Sequence, residues 1–182
     1  LNQVNLDDYN NDWFVPGSKI RIIFWMLISA LFFRNSLPIP SVIKVSLLKL
    51  FGAKVGTGIV IKQNVNIKYP WKLILGRDSW IGEDVWIDNL DIVKIGDNCC
   101  LSQGCYLLTG NHDFTSKTFE LMTSEINIKN EAWVCAKSVV CPGVTLHRGS
   151  ILTVGSVATK NLEELGIYQG NPAIEIKKRV IS

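Results

Sequence analysis

The sequence predicts a mainly β chain wound as a triangular parallel β-solenoid of about five coils, with helices before it and one long loop interrupting it. Three observations carry this prediction. From Val55 onward an aliphatic residue recurs every six positions, often followed by Gly, with a small or aliphatic residue four places on. The units read VGTGIV, IKQNVN, IKYPWK, LGRDSW, IGEDVW, IDNLDI, IGDNCC, LSQGCY and LLTGNH, and after a break IKNEAW, VCAKSV, VCPGVT, LHRGSI and LTVGSV. Successive units start at 55, 61, 67, then 75, 81, 87, then 95, 101, 107, then 128, 134, 140, then 146, 152, with a further start at 158, so each third unit up to the break is longer than six. If three units close one turn, every extension falls at the same corner, as a coil of three short parallel strands requires. The first and fifth positions of each unit then point inward, and Gly at the second position admits a corner that a Cβ would obstruct.

Bulk properties bound the rest. A chain of 182 residues with 47% hydrophobic content is one domain with an ample core. A formal charge of +3, with no dense Lys/Arg run before Lys177, Lys178 and Arg179, predicts no nucleic-acid partner. Five cysteines with no C-x-x-C pair argue against a disulfide framework or a zinc knuckle and for reduced thiols. The opening LNQVNLDDYNNDWFVPG is polar and acidic where a secretory signal is basic and then apolar, so a cytoplasmic location is expected.

Residues 1–54 read as a helical segment packing on the solenoid. Within it IIFWMLISALFF, residues 22–33, lies between Arg21 and Arg34 and falls short of the roughly 20 residues a membrane-spanning helix needs. Two readings stand: a helix covering an open end or face of the domain, or peripheral contact with the inner face of a membrane. SVIKVSLLKLFGA, residues 41–53, places Val42, Val45 and Leu48, and Leu47, Leu50 and Phe51, at helical spacing. Lys44 and Lys49 fall elsewhere on the wheel, and Gly52 is the expected stop. The solenoid follows over residues 55–160, with Cys99 and Cys105 as interior packing. Residues 161–182 read as a C-terminal tail.

Residues 109–127 are too many for a corner and must project as an excursion. It carries Asn111, His112 and Asp113 at its base, with Phe114, Phe119, Leu121 and Met122 to pack it down. A histidine, with its unperturbed pKa of about 6.5, can take a proton from a hydroxyl and pass it on near neutral pH. His147, the only other histidine, occupies an ordinary corner position and is assigned no role.

The units fit the pattern [LIV]-[GAED]-x-x-[STAV]-x over residues 55 to about 160, and the chain thereby resembles the hexapeptide-repeat acyltransferases. VWIDNLDIVKIGDNCCLSQGCYLLTGNHDFTSKTFEL, then AWV and GNPAIEIKKR, is similar more narrowly to the branch of colanic acid biosynthesis acetyltransferases. The resemblance implies left-handed coils, against the usual preference of parallel crossovers. It implies an acetyl-CoA-dependent O-acetyltransferase without a metal, acting on a sugar hydroxyl in surface polysaccharide or oligosaccharide assembly, and a homotrimer with active sites between subunits.

The same resemblance makes His112 the general base. Asp113 either fixes the His112 tautomer or shapes the loop as a turn residue. Asp88 and Asn89, one turn back at the same corner, either face the acceptor with Asn111 or simply stabilise the corner. Trp133 matches a tryptophan lining the acetyl-CoA channel. Ala136, Val154 and Gly155 would follow the pantetheine arm, and Thr159, Lys160 and Lys177 would lie near the CoA nucleotide. Lys177, with Lys178 and Arg179, reads equally as a solvated basic tail.

Two departures stand out: Ile174 follows G-N-P-A where relatives carry Lys or Arg, and NLEELGIYQG replaces a Pro-rich turn. An amino-sugar N-acyltransferase and a non-catalytic scaffold are the alternatives. A β-helical carbonic anhydrase would need three zinc-binding histidines, and a serine acetyltransferase a larger helical N-terminal domain.

Overall fold

In the computed structural model, which describes residues 3–181, the six-residue period closes into three-sided coils, and each coil gives one short strand to each of three sheets. The first sheet stacks Lys54–Val55, Leu73–Leu75, Val93–Ile95, Ile126–Ile128 and Thr145–Leu146. The second stacks Val60–Ile61, Trp80–Ile81, Cys100–Leu101, Trp133–Val134, Ile151–Leu152 and Gly166–Gly170. The third stacks Asn66–Ile67, Trp86–Asp88, Tyr106–Leu108, Val139–Val140 and Val157–Ala158. All of these neighbours pair in parallel, and the chain is a left-handed parallel β-helix.

Five coils are complete and a sixth begins, through the Leu146–Leu162 bridge and the strand Gly166–Gly170. The last residues are therefore not a loose tail. Ala173–Lys178 folds back antiparallel on Gly166–Gly170, and the Arg179 guanidinium donates to the carbonyls of Glu131 and Gly149.

The predicted register is the observed one. Ile61, Ile81, Leu101, Val134 and Leu152, first in their units on the second sheet, are each at most 2% exposed. Fifth positions such as Val65, Val85 and Cys105 fill the space between them. Each such aliphatic side chain contributes about 1.5–3 kcal/mol on burial, and a solenoid sums that term coil by coil. Burial pushes the thiol pKa of Cys99 up to about 11 and that of Cys105 up to about 12, as expected of packing residues. Gly at the second position is needed for close approach rather than for an unusual φ. A Cβ on Gly76 would lie 2.4 Å from the carbonyl carbon of Gly96 in the next coil.

The open N-terminal end of the solenoid is an edge with unpaired backbone groups, and two helices cover it. Helix α1, Lys19–Phe32, sends the Trp25 indole N–H to the Ile67 carbonyl at 2.7 Å. Helix α2, Ser41–Leu50, places Ser41 against Ile61 and directs the Lys44 ammonium to the carbonyls of Ile61 and Lys62. Gly52, at φ +92°, follows the end of α2 as anticipated.

The face of α2 differs from the wheel. Lys44 is buried with Leu48, whereas Val42 and Leu50 are exposed, because the edge carbonyls need a donor and an apolar side chain supplies none. No helix among the described residues is long and apolar enough to cross a membrane.

Candidate active site

The long corner joins the third sheet to the first. It is short at 68–72 and 89–92, and between the third and fourth coils it becomes the excursion. Thr109, fully buried, anchors it: its N–H and hydroxyl both donate to the Asp88 carbonyl, its hydroxyl accepts from the Asp91 N–H, and its carbonyl accepts from Ser124. The excursion is a β-hairpin, with Gly110–His112 antiparallel to Leu121–Thr123 and His112 opposite Leu121. Leu121 packs beneath it, but Phe114 and Met122 stand exposed rather than packing it down, since the hairpin projects beyond the core that could receive them.

His112 is held from several sides. Its Nδ1 lies 2.9 Å from the Phe119 carbonyl oxygen, and its ring stacks on that of Phe119 with centroids 4.4 Å apart and planes 5° from parallel. Phe119 has φ +51°, a left-handed conformation that turns its backbone inside the hairpin tip. A carbonyl can only accept, so in the neutral imidazole Nδ1 carries the hydrogen and Nε2 keeps its lone pair. The third support comes from the far N-terminus. Tyr9 lies 5.6 Å from the imidazole, and the Asn5 N–H donates to the Lys117 carbonyl, so residues 5–9 lie against the hairpin.

Asp113 does not touch the imidazole. Its carboxylate accepts from the Thr115 N–H at 2.8 Å and the Thr115 hydroxyl at 2.6 Å, and these bonds hold its pKa below the usual carboxylate value. Of the two roles left open by the sequence, this geometry is that of the turn. Asn111 is exposed, and its Oδ1 accepts from the His112 N–H at 2.8 Å.

Asp88 and Asn89 diverge although adjacent. Asn89 is 0% exposed, and its amide bonds both the N–H and the carbonyl of Tyr69 at 2.9 and 2.7 Å, clamping the same corner of the preceding coil. In this chain Asn89 is thus enclosed rather than turned to an acceptor. Asp88 stays partly open, paired with Lys68 at 2.9 Å and accepting from the Tyr106 hydroxyl at 3.2 Å. Burial and the Asp88 charge push the Tyr106 pKa up to about 12, and its ring stacks on Trp86 at 4.7 Å. Lys68, Trp86, Asp88 and Tyr106 form a polar and aromatic patch on the third sheet, at the base of the hairpin.

The residues expected along the donor lie elsewhere on the prism. Trp133 is 41% exposed on the second sheet, its indole N–H donating to the Ser102 hydroxyl at 2.8 Å. The next corner, between the second and third sheets, carries Ala136, Val154 and Gly155, with the Gly155 N–H donating to the Ala136 carbonyl. A Cβ on Gly155 would meet nothing within 4 Å, so the backbone borders open space there. Thr159 and Lys160 are exposed at the corner of the excursion, two coils further on. Lys177 is exposed opposite Ile167, toward the other edge of the second sheet, so the three do not converge within one chain. His147 sits at the corner between the first and second sheets, away from His112.

Tyr9, Lys68 and Tyr106 were not anticipated. Tyr9 precedes the repeat, Tyr106 occupies the unconstrained sixth position of its unit, and Lys68 stands at a second position where the hexapeptide pattern expects Gly, Ala, Glu or Asp, so its departure from the pattern was the one available signal.

Among known proteins, no family model matches this chain. It is 37% identical over 167 residues, 92% of each chain, to WcaF of Escherichia coli (strain K12), whose name assigns it provisionally to colanic acid biosynthesis as an acetyltransferase. Galactoside O-acetyltransferase of the same strain is 29% identical over 136 residues, 73% of this chain and 67% of its own. Among solved structures, a maltose O-acetyltransferase from Clostridium difficile 630 superposes with a TM-score of 0.77 at 20% identity, covering 90% of each chain. Galactoside acetyltransferase in complex with coenzyme A gives 0.77 at 24% identity, covering 87% of this chain and 80% of the other.

The likeness to WcaF over nearly the whole chain shows that this coil of hexapeptide units is an acyltransferase of the hexapeptide-repeat class. Within that family the chain belongs to the branch of colanic acid biosynthesis acetyltransferases.

Proposed function

We propose that this chain is an acetyl-CoA-dependent O-acetyltransferase acting on a sugar hydroxyl in surface polysaccharide or oligosaccharide assembly. The observation that carries the reading is the hydrogen bond between His112 Nδ1 and the Phe119 carbonyl, which leaves Nε2 as a base on an exposed hairpin. Nε2 accepts the proton of the acceptor hydroxyl as its oxygen bonds to the thioester carbonyl carbon. The C–S bond then breaks, and the imidazolium returns the proton to the departing thiolate. Backbone N–H groups or the exposed Asn111 amide stabilise the tetrahedral oxyanion. Asp88, partly open beside the hairpin base, is the second polar contact for the acceptor, and Asp113 holds the turn that carries the base.

On the donor side, Trp133 and the backbone of Ala136, Val154 and Gly155 line the pantetheine arm. The open space at Gly155 supports this, because a backbone without side-chain cover can approach a ligand closely. Thr159 and Lys160 supply polar and cationic contacts to the nucleotide, and Lys177, which does not meet them within one chain, adds its charge from a neighbouring subunit. The hairpin and this corner lie on different edges of one prism, which favours a homotrimer in which His112 of one subunit faces the donor groove of the next.

Purified protein, acetyl-CoA and a panel of acceptor sugars in a thiol-release assay test the reading, with light scattering for a mass three times that of the chain. Release with hydroxyl acceptors and its loss in His112→Ala are expected. Turnover only with amino sugars would move the reading to N-acylation, and full activity of His112→Ala would remove the base assignment.

A further inference from the structure

Helix α1 is apolar all round, which for a helix in water normally means cover on every side. Here only one side is covered. Trp25, Ser29 and the capping Phe33 are buried against the solenoid, while Ile20, Ile23, Phe24, Leu27 and Leu31 form a stripe at helical spacing, each between 57% and 68% exposed. On α2, Val42, Ile43 and Leu50 line a second open apolar groove. The patch occupies the outer face of the helices that close the solenoid.

The charge around this patch is one-sided. Residues 13–77, which hold both helices, the first coil and the opening strand of the second, contain ten of the 19 Lys and Arg and none of the 16 Asp and Glu. The remaining residues therefore carry nine basic against sixteen acidic side chains, so a chain of modest net charge is strongly polarised. Some of the ten are engaged: Lys44 caps edge carbonyls, Arg21 donates to the Phe51 carbonyl and lies over Trp71, and Lys68 and Arg77 pair with Asp88 and Asp97. Lys19, Arg34, Lys49, Lys54 and Lys62 are exposed and have no ion-pair partner among the described residues.

We infer that the N-terminal cap is a docking face for an anionic phospholipid surface. The stripe of α1 lies in the interface between headgroups and acyl chains, and the unpaired cations around the cap meet lipid phosphates. An apolar helical face combined with a polybasic surround is what such a surface selects. A second copy of the chain is a poorer occupant, because pairing like ends would set two acid-free basic regions against each other. The inference is independent of the reaction, since none of these residues belongs to the proposed active site.

The test is co-sedimentation of the full chain with phosphatidylcholine vesicles, with and without phosphatidylglycerol, at low and high salt. Binding to the anionic vesicles alone is expected, falling as salt rises. The double variant Phe24→Ser/Leu27→Ser should lower the bound fraction at least tenfold. Lys49→Glu/Lys54→Glu should lower it by about fivefold or more for each cation removed. All these positions are exposed, so circular dichroism should show an unchanged fold, and thiol release with a water-soluble acceptor should be unchanged.

Equal binding to neutral vesicles, or none to anionic ones, overturns the proposal. So does a Phe24→Ser/Leu27→Ser protein that binds vesicles as before, or one that changes oligomeric mass instead.

Discussion

His112 Nδ1 lies 2.9 Å from the backbone carbonyl oxygen of Phe119, whose own ring lies face to face with the imidazole. One residue thus sets both the tautomer and the plane of the imidazole proposed as the base. His112→Ala should lower kcat by roughly 10²- to 10⁴-fold, the usual worth of general-base catalysis. Phe119→Ala keeps the carbonyl but loses a stack worth about 0.5–1.5 kcal/mol, so kcat should fall roughly three- to tenfold with little change in KM. Steady-state kinetics on both variants separate base from positioning residue. A Phe119→Ala enzyme altered only in KM would show that the stack serves the acceptor instead.

Asp113 bonds Thr115 rather than the imidazole, so Asp113→Asn, whose amide oxygen can still accept from the Thr115 N–H, should keep most activity. A carboxylate orienting the base would cost far more on this change. The kcat ratio of wild type to Asp113→Asn measures the difference, and a loss above about 10²-fold would restore Asp113 to the catalytic pair.

Asn89→Ala leaves the N–H and carbonyl of Tyr69 buried without partners, at about 1–3 kcal/mol for each group. Thermal unfolding should show a Tm lower by roughly 4–20 °C, while KM for the acceptor stays near that of the parent. A higher KM with unchanged Tm would give Asn89 the acceptor contact that its enclosure argues against.

Burial raises the thiol pKa of Cys99 and Cys135 to about 11 and that of Cys105 to about 12, against 9.0 for an unperturbed thiol. Between these values the unfolded chain releases protons that the folded chain retains. Stability is therefore unaffected by these groups below about pH 9 and falls as pH rises above it. Urea midpoints should drop between pH 9 and 11. In the folded protein at pH 8 these three thiols should not react with a disulfide reagent, leaving thiol-release assays free of their background.

The coils were legible because inward packing imposes a period that survives wide variation elsewhere. The starts at 61, 81 and 101 each proved to be buried, and the repeated lengthening at one corner gave the place of the excursion. What lay outside the period was read less well. Lys44 resembled a solvent-facing lysine because a helical wheel records hydrophobicity but not the unpaired carbonyls of a sheet edge. Asp88 and Asn89 are adjacent polar letters at one corner, yet Asn89 points inward to Tyr69 and Asp88 outward to Lys68, since successive residues of an extended chain face opposite ways. Tyr9 meets His112 across more than a hundred residues of chain, a contact without any local signal.

A stacked coil also measures distance. Rungs of a sheet lie about 4.8 Å apart, so the third coil, from which the hairpin departs, stands about 10 Å above the first. The covering helices add roughly another 10 Å of thickness. With the α1 stripe seated in the headgroup region, part of that thickness lies within the bilayer, and the proposed base His112 is held on the order of 10–20 Å above the lipid surface. Acceptors tethered by their reducing end would then be sorted by how far along the saccharide the modified hydroxyl lies.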